Sequence, residues 1–189
     1  MYTETIVLKI TKMSNLKLIL TLGVLISASN AKVVNVKNGC STPILVNVED
    51  TQYTLLSGEK IILTTPPEWS ATISAVTLDN QEQQVGKTEA KLSFNTTQDR
   101  YSVSLVNGFN LRLKIVPNGS SGCNTALCTF DLLHLCPKNS QVLNNLGQVI
   151  GCENEPEIMS YICPLAIVNQ SSDNEQICTE AISYFVLFF

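Results

Sequence analysis

The sequence holds little of what most metal and cofactor sites are built from. Among its 189 residues there is one histidine, His134, and no glycine-rich phosphate-binding loop. A zinc site needs three or four ligands, and the cysteines around His134 are expected to be oxidised, so a hydrogen-bonded structural histidine is predicted instead. No apolar stretch reaches the roughly 20 residues of a membrane-spanning helix. The sequence therefore predicts no cofactor, no metal and no membrane span.

Positive charge is also scarce. The chain has 12 lysines and arginines against 16 aspartates and glutamates, a net charge of −4 at pH 7, and its basic residues form no run. Nucleic acids and anionic membrane surfaces attract proteins that concentrate positive charge. The sequence therefore argues against both as partners.

The first 31 residues have the pattern of a secretory signal. Leu16–Ile26 is a largely apolar stretch preceded by lysines, and Ser29–Ala31 supplies the small residues that a signal peptidase needs. The alternative is a transmembrane anchor, for which the stretch is too short. We expect residues 1–31 to be an N-terminal extension and signal peptide, and residues 32–189 to be a secreted, extracellular domain. Removing the signal leaves nine basic and fifteen acidic residues, a net charge of −6.

The cysteines and the glycosylation sequons agree with that compartment. Seven cysteines in a secreted chain predict disulfide bonds. Sequons at Asn95, Asn118 and Asn169 are expected at the surface. Asn118 is the strongest of the three, because it follows Pro117 in a stretch rich in glycine and serine.

Short stretches of alternating apolar and polar residues, each ended by turn residues, fill the first half of the mature chain. The predicted strands are Val33–Val36, Ile44–Val48, Tyr53–Leu56, Ile61–Leu63, Trp69–Leu78, Leu92–Phe94, Tyr101–Val106 and Leu111–Val116. Asn107 and Gly108 form a turn between the last two. Strands of this length and spacing predict an all-β sandwich. No long amphipathic helix and no internal repeat is found, so one domain is expected.

The second half has a different character. From Cys123 to Cys178 the chain is loop-rich and dense in cysteine, so we expect it to depend on cross-links more than on a regular core. The acidic stretch Glu153–Glu157 predicts a solvated loop. The last residues, Ile182–Phe189, are almost wholly apolar and predict a buried terminal strand.

Residues Tyr101–Asn110 read YSVSLVNGFN. This phrase resembles the central signature of thaumatin-like proteins, which has the form YDVSLVDGFN. The spacing Cys-x4-Cys-x2-Asp-x4-Cys-Pro that begins at Cys123 is similar to the same family, as are shorter stretches at Val36–Ile44, Pro67–Trp69 and Thr88–Asn95. The resemblance covers nearly the whole mature chain. It implies an antiparallel β-sandwich of thaumatin type with a disulfide-linked, loop-rich C-terminal half.

The resemblance also implies a disulfide map. The corresponding pairs are Cys123–Cys178, Cys128–Cys163 and Cys136–Cys152. Cys40 is left unpaired, because Phe189 stands where the family has its partner. A buried free thiol is the favoured interpretation, and a Cys40-linked dimer is the alternative to a monomer. The small disulfide loops and the second lobe of larger members are absent, so the chain resembles the small, reduced type.

The acidic cleft of the family is where this sequence departs from the pattern. Three of the family's acid positions hold Lys91, Ser102 and Asn107, and the cleft arginine has no counterpart. Hydrolysis of a glycoside usually needs two carboxyl groups about 5–10 Å apart. Glu89 and Asp99 are remaining choices, but both are expected as solvated charges at strand edges. No catalytic residue is therefore predicted.

Three hypotheses about function follow. The leading one is a secreted, non-catalytic thaumatin-like protein with a defence, antifungal or β-glucan-binding role, whose ligand contacts Lys91, Ser102 and Asn107. The second is a weak β-1,3-glucanase whose carboxylates are not identified. The third is a structural or interaction protein with no carbohydrate ligand.

Overall fold

The computed structural model describes residues 31–171 and 173–189. Residues 1–30, which carry most of the predicted extension and signal, lie outside this range, and the signal stays a prediction. In the described range no helix is long and apolar enough to cross a membrane. The strands are β1 (Lys32–Asn38), β2 (Ile44–Val48), β3 (Thr51–Leu55), β4 (Lys60–Thr65), β5 (Trp69–Thr77), β6 (Glu89–Phe94), β7 (Asp99–Ser104), β8 (Leu113–Asn118), β9 (Ala126–Cys128), β10 (Gln141–Leu143), β11 (Val149–Cys152), β12 (Gln176–Cys178) and β13 (Ser183–Phe188). One α-helix, α1, spans Pro156–Ile162, and the described range also holds three short 3-10 helices.

The strands form two large sheets and one small one. The six-stranded sheet has the order β12-β7-β6-β5-β2-β3, and the five-stranded sheet has the order β4-β1-β13-β8-β9. Strands β10 and β11 pair separately. All strand pairs are antiparallel except β1 with β13, which run parallel. The predicted all-β sandwich is confirmed, and so is the terminal strand, which lies in the centre of the five-stranded sheet.

The core lies between the two large sheets, where alternate residues of each strand point inward. Val34 and Val36 of β1 and Ile73 and Ala75 of β5 have no exposed surface. The Tyr184 ring of β13 lies 5.0 Å from the Phe94 ring and 5.1 Å from the Tyr101 ring, between ring centroids. These aromatic contacts join the two sheets across the core.

The phrase Tyr101–Asn110 carries the chain from one sheet to the other. Strand β7 lies in the six-stranded sheet and β8 in the five-stranded sheet, so the turn at Asn107 connects layers and does not close a hairpin. Gly108 has a φ of +94°, and a Cβ atom there would lie 2.1 Å from the main-chain oxygen of Cys152. Only glycine fits this close approach. Phe109, the next residue, is fully buried and forms a bridge with Cys152.

Asn110 closes the phrase with three side-chain hydrogen bonds. Its Oδ1 accepts from the main-chain nitrogens of Thr88 at 3.0 Å and Leu111 at 2.8 Å, and its Nδ2 donates to the carbonyl of Ala75 at 2.8 Å. Asn110 is only 6% exposed, so these bonds satisfy its buried amide. The most recognisable stretch of the sequence is therefore a structural element that fixes how the two sheets meet.

The second half of the chain is held by disulfides. The structure joins Cys123 to Cys178, Cys128 to Cys163 and Cys136 to Cys152, the pairs that the resemblance implies. Their sequence separations of 55, 35 and 16 residues enclose most of this half. The prediction of a solvated loop around Pro156 is wrong. Pro156 begins α1, because its fixed φ suits the first turn of a helix, and Met159 on the inner face is 1% exposed.

Candidate functional site

The outer face of the six-stranded sheet is polar. In β5, β6 and β7 the residues that alternate with the core residues carry hydroxyl or charged side chains, except for Val76. The register places Thr72, Lys91 and Ser102 side by side across three strands, and Ser74, Glu89 and Ser104 in the neighbouring row. All six residues face the same way, because side chains two positions apart in a strand share a face.

Two of the three predicted ligand-binding residues lie at this surface, and the third lies beneath it. The Lys91 side chain is 46% exposed, and Asn107 is exposed at the turn after β7. Glu89 links them, since its Oε1 accepts a 2.7 Å hydrogen bond from Asn107 Nδ2 and its Oε2 lies 3.8 Å from Lys91 Nζ. Ser102 is only 2% exposed, so its hydroxyl has almost no surface for a ligand.

A shallow depression of about 380 Å³ surrounds Lys91. Arg100 and Glu175 form one wall, with Arg100 Nη1 donating to Glu175 Oε2 at 2.6 Å. The floor carries the hydroxyls of Ser70 and Ser93, which are joined by a 2.8 Å hydrogen bond. These side chains come from three strands and from the segment just before β12, and only the sheet register brings them together.

Glu49 forms the opposite wall. Its Oε1 accepts a 2.6 Å hydrogen bond from the main-chain nitrogen of Thr72, and it is the one described non-glycine residue with a positive φ, +49°. This left-handed conformation is uncommon for glutamate. The conformation and the hydrogen bond together hold the Glu49 carboxylate at the rim.

A second depression, of about 370 Å³, adjoins the first and shares Glu49 and Thr72 with it. Its lining is rich in amides, with Asn47, Gln52, Gln81, Gln83 and Gln84. We call the two depressions together the polar trough. Glu49, Arg100 and Glu175 could not be identified as members from local pattern, because Glu49 has the position of a turn residue after β2 and the other two lie 75 positions apart.

The expectation that Glu89 and Asp99 are both solvated charges is wrong. Glu89 is 9% exposed and Asp99 has no exposed surface. They also lie on opposite faces of the sheet, since Glu89 pairs with Ser104 on the outer face and Asp99 pairs with the core residue Phe94. Five residue positions separate their rows, or about 17 Å along the strands. The two carboxylates cannot act on one glycosidic bond.

Asp99 is instead a structural acid. Its Oδ2 forms an ion pair with Lys32 Nζ and accepts a 2.7 Å hydrogen bond from the Tyr184 hydroxyl. Lys32 also donates to the carbonyl of Ala181 at 3.0 Å. Burial raises the pKa of Tyr184 above its usual range, and the hydrogen bond to Asp99 raises it further. Burial, with the nearby charge of Asp99, also raises the pKa of Tyr101 to about 12.

Cys40 and His134 occupy very different surroundings. Cys40 is an unpaired, half-buried thiol two residues after β1, and the preceding residue, Gly39, lies close to Phe189. Burial raises the pKa of this thiol, and the nearby charge of Arg112 partly offsets the rise. The prediction of a structural histidine is wrong, because the His134 side chain is 87% exposed and, among the described residues, its one ionic neighbour is Asp131 at 3.6 Å. Within residues 31–171 and 173–189, no group of three His, Cys, Asp or Glu side chains is placed to hold a metal ion.

The three sequons have different local structures. Asn95 lies in the exposed turn between β6 and β7, and its Oδ1 accepts from Thr97 Oγ1 at 2.8 Å. Asn169 is exposed, and its Oδ1 accepts from Ser171 Oγ at the same distance. Asn118 ends β8, and its Nδ2, the atom that would carry a glycan, donates to Ser183 Oγ at 3.2 Å. Glycosylation stays a prediction at all three, with Asn95 better placed than Asn118.

Comparison with known proteins identifies relatives that are similar to this chain in sequence. The Thaumatin family model matches residues 77–178. Thaumatin-like protein 1 of Pyrus pyrifolia is 43% identical over 82 residues, which are 40% of this chain and 32% of that protein. A protein of Prunus avium named glucan endo-1,3-beta-glucosidase is 43% identical over 56 residues, 29% of this chain and 23% of its own length. The matches thus span about a third or less of these two relatives.

A solved structure agrees with these matches in fold. The thaumatin-like xylanase inhibitor has a TM-score of 0.50 with this chain, at 14% identity, over 82% of this chain and 97% of its own. At that identity the likeness concerns the fold alone. It extends over both the sandwich and the cysteine-linked half.

Proposed function

The chain belongs to the thaumatin family, and on that premise we propose that it is a secreted, non-catalytic protein that binds cell-wall β-1,3-glucan through the polar trough, in a defence or antifungal role. The observation that carries the proposal is the composition of the trough. Hydroxyls of Ser70, Thr72 and Ser93, amides and a few charged groups line an open surface on rigid strands. Such groups donate to and accept from the hydroxyls of a sugar.

The shape of the trough supports a polymer as the ligand. The two depressions are shallow and adjoin along the sheet at Glu49 and Thr72. An extended chain of sugars can lie across both, with Lys91 and Arg100 near one end and the amides of the glutamines near the other. Glu89 holds Asn107 and Lys91 in place at the edge of this surface.

The arrangement of carboxylates supports binding without hydrolysis. Glu89 and Asp99 lie on opposite faces of the sheet, and Glu49 and Glu175 are already bonded to Thr72 and Arg100. An acid and a base or nucleophile on the two sides of one glycosidic bond are what hydrolysis requires. The name of the Prunus avium relative keeps a weak β-1,3-glucanase as the second candidate function.

Co-sedimentation of the 32–189 protein with insoluble β-1,3-glucan tests the proposal, with chitin and cellulose in parallel. We expect selective retention on the glucan. A double variant, Lys91→Ala with Ser70→Tyr, removes the central cation and fills the floor, so it should reduce retention by about tenfold. Lys138→Ala is the matched control, because Lys138 is an exposed lysine outside the trough.

Other outcomes would argue against glucan binding through the polar trough or favour another function. If the double variant binds as well as the unaltered protein and both keep the same near-ultraviolet circular dichroism, the trough is not the binding site. Release of reducing sugar that is lost in Glu49→Gln or Glu175→Gln would favour the glucanase. Absence of retention on all three polymers would favour the interaction protein, for which non-reducing gels report a Cys40-linked dimer.

A further inference from the structure

Three lysines that are distant in sequence form a row on the outer face of the five-stranded sheet. Lys60 of β4 pairs with Lys37 of β1, Lys37 pairs with Leu187 of β13, and Leu187 pairs with Lys114 of β8. Leu127 of β9 continues the row beyond Lys114. We call these five residues the lysine row. Neighbouring strands lie about 4.8 Å apart, so the three ammonium groups arise from positions spread over about 14 Å.

The lysines of the row have no ion-pair partner among the described residues. In the part of the chain that the structure describes, the ion pairs involve Lys32, Lys91, Arg100 and His134, and none involves the lysine row. Lys37 and Lys60 are exposed and stand directly opposite each other. Like charges in directly opposed strand positions are unfavourable. Three of the nine basic residues of 32–189 thus lie in one row, which makes this part of the face locally positive and points to an anionic ligand.

Apolar groups lie beside the cations. Leu187 stands between Lys37 and Lys114, and in the next row Phe185 is 40% exposed and Ile62 is 59% exposed. A ligand that fits must therefore carry negative charges at intervals and also present apolar C–H surface to exposed carbon. A polysaccharide of uronic acids does both, because each ring has a carboxylate on its edge and C–H groups on its faces.

We propose that the lysine row binds an acidic polysaccharide of the polygalacturonate type, with the chain lying across the strands. The row is one residue wide, which suits a linear polymer. A flat anionic membrane is disfavoured by the net charge of −6 that residues 32–189 carry. This surface lies on the opposite sheet from the polar trough, so the two proposals do not depend on each other.

Titration of the 32–189 protein with polygalacturonate tests the proposal, with fully methyl-esterified polygalacturonate as the uncharged control polymer. We expect binding to the acidic polymer that weakens as sodium chloride is raised, and little binding to the ester. Lys37→Gln should weaken binding by about fivefold, and the triple variant Lys37→Gln, Lys60→Gln, Lys114→Gln by tenfold or more. Lys138→Gln removes one charge elsewhere and should leave the affinity nearly unchanged.

A charge-reversal variant distinguishes a loss of binding from misfolding. Lys60→Glu places a carboxylate opposite Lys37, so it should raise the thermal midpoint slightly while it weakens polygalacturonate binding. Opposite changes in stability and binding cannot come from misfolding. Equal binding of the ester, equal binding of poly-L-glutamate of the same charge and length, or preference for anionic phosphatidylserine vesicles would each overturn the proposal. Unchanged affinity in the folded triple variant would overturn it as well.

Discussion

Between Lys32 and Asn118 the chain forms eight strands, whereas between Cys123 and Cys178 it forms four short strands and one α-helix of seven residues. The first region buries large side chains such as Tyr101 and Phe109 almost completely. The second leaves Leu146 82% exposed and Tyr161 84% exposed. All three disulfides lie in the second region.

The difference shows two ways of holding a chain in place. Burial of apolar surface and sheet hydrogen bonds stabilise the sandwich, whose free cysteine is not needed for a cross-link. The cysteine-linked region buries less, so it depends on covalent closure that restricts its unfolded state. Both proposed binding surfaces lie mainly on the sandwich, where rigid strands can hold side chains in fixed positions.

The largest effect is expected from Asp99→Ala, in the sandwich. The substitution leaves Lys32 without its ion pair and the Tyr184 hydroxyl without its acceptor. Loss of one partner from a buried pair, with an unsatisfied hydroxyl added, should lower the free energy of unfolding by about 5 kcal/mol. Urea denaturation measures this change. A loss below about 1 kcal/mol would contradict a structural role for the buried acid.

A slightly smaller effect is expected from opening the longest disulfide. The double variant Cys123→Ala, Cys178→Ala removes a closure of 55 residues, worth about 4 kcal/mol by chain entropy. Hydrogen exchange should show faster opening between Cys123 and Cys178, while strands β1, β2 and β5 keep their protection. Uniform loss of protection across both regions would show that the sandwich also depends on the cross-link.

Alkaline pH should weaken the sandwich through its buried phenols. The pKa of Tyr101 is raised to about 12 and that of Tyr184 is raised too, so the folded state keeps these protons when the unfolded chain, with phenol pKa near 10, releases them. The unfolded state then binds fewer protons, and stability falls as pH rises from about 10 to 12. Below pH 9 these groups should contribute no pH dependence.

The measurement is the urea midpoint between pH 8 and 12. Tyr184→Phe is the informative variant, because it removes one phenol and keeps the ring that packs on Phe94. It should be less stable at pH 8, through the lost bond to Asp99, and show a shallower decline above pH 10. An equally steep decline would assign the alkaline loss to other groups.

Local pattern was enough to predict most of the sandwich. Strands such as β1 and β2 follow from the alternation of apolar and polar residues between turns, and the phrase Tyr101–Asn110 indicated the fold. Burial of Asp99 could not be read in this way. Its partners Lys32 and Tyr184 are 67 and 85 positions distant, and a charged residue that starts a strand looks solvated until the register is known.

The polar trough and the lysine row were predictable only in part, because their residues are also distant in sequence. Lys91 was identified from its position in the family pattern, but Glu49, Arg100 and Glu175 join it through tertiary structure. The basic residues form no run along the chain, yet the pairing of β4, β1, β13 and β8 places three of them in one row. Side-chain neighbours across strands depend on the register of pairing. A shift of one residue moves every side chain of a strand to the other face of the sheet.

The smallest effect is expected from Cys40→Ser, the one cysteine change in the sandwich. Cys40 packs on the core from a half-buried position without a cross-link, so the loss of stability should be about 1 kcal/mol or less. Because burial raises its pKa, little thiolate forms at neutral pH, and the thiol should react with Ellman's reagent far more slowly than free cysteine. Full reaction should appear only after unfolding. A fast reaction would contradict the burial of the thiol. A reducible dimer that Cys40→Ser abolishes would instead make Cys40 a cross-link between molecules, and the two regions would then both use their cysteines for cross-links.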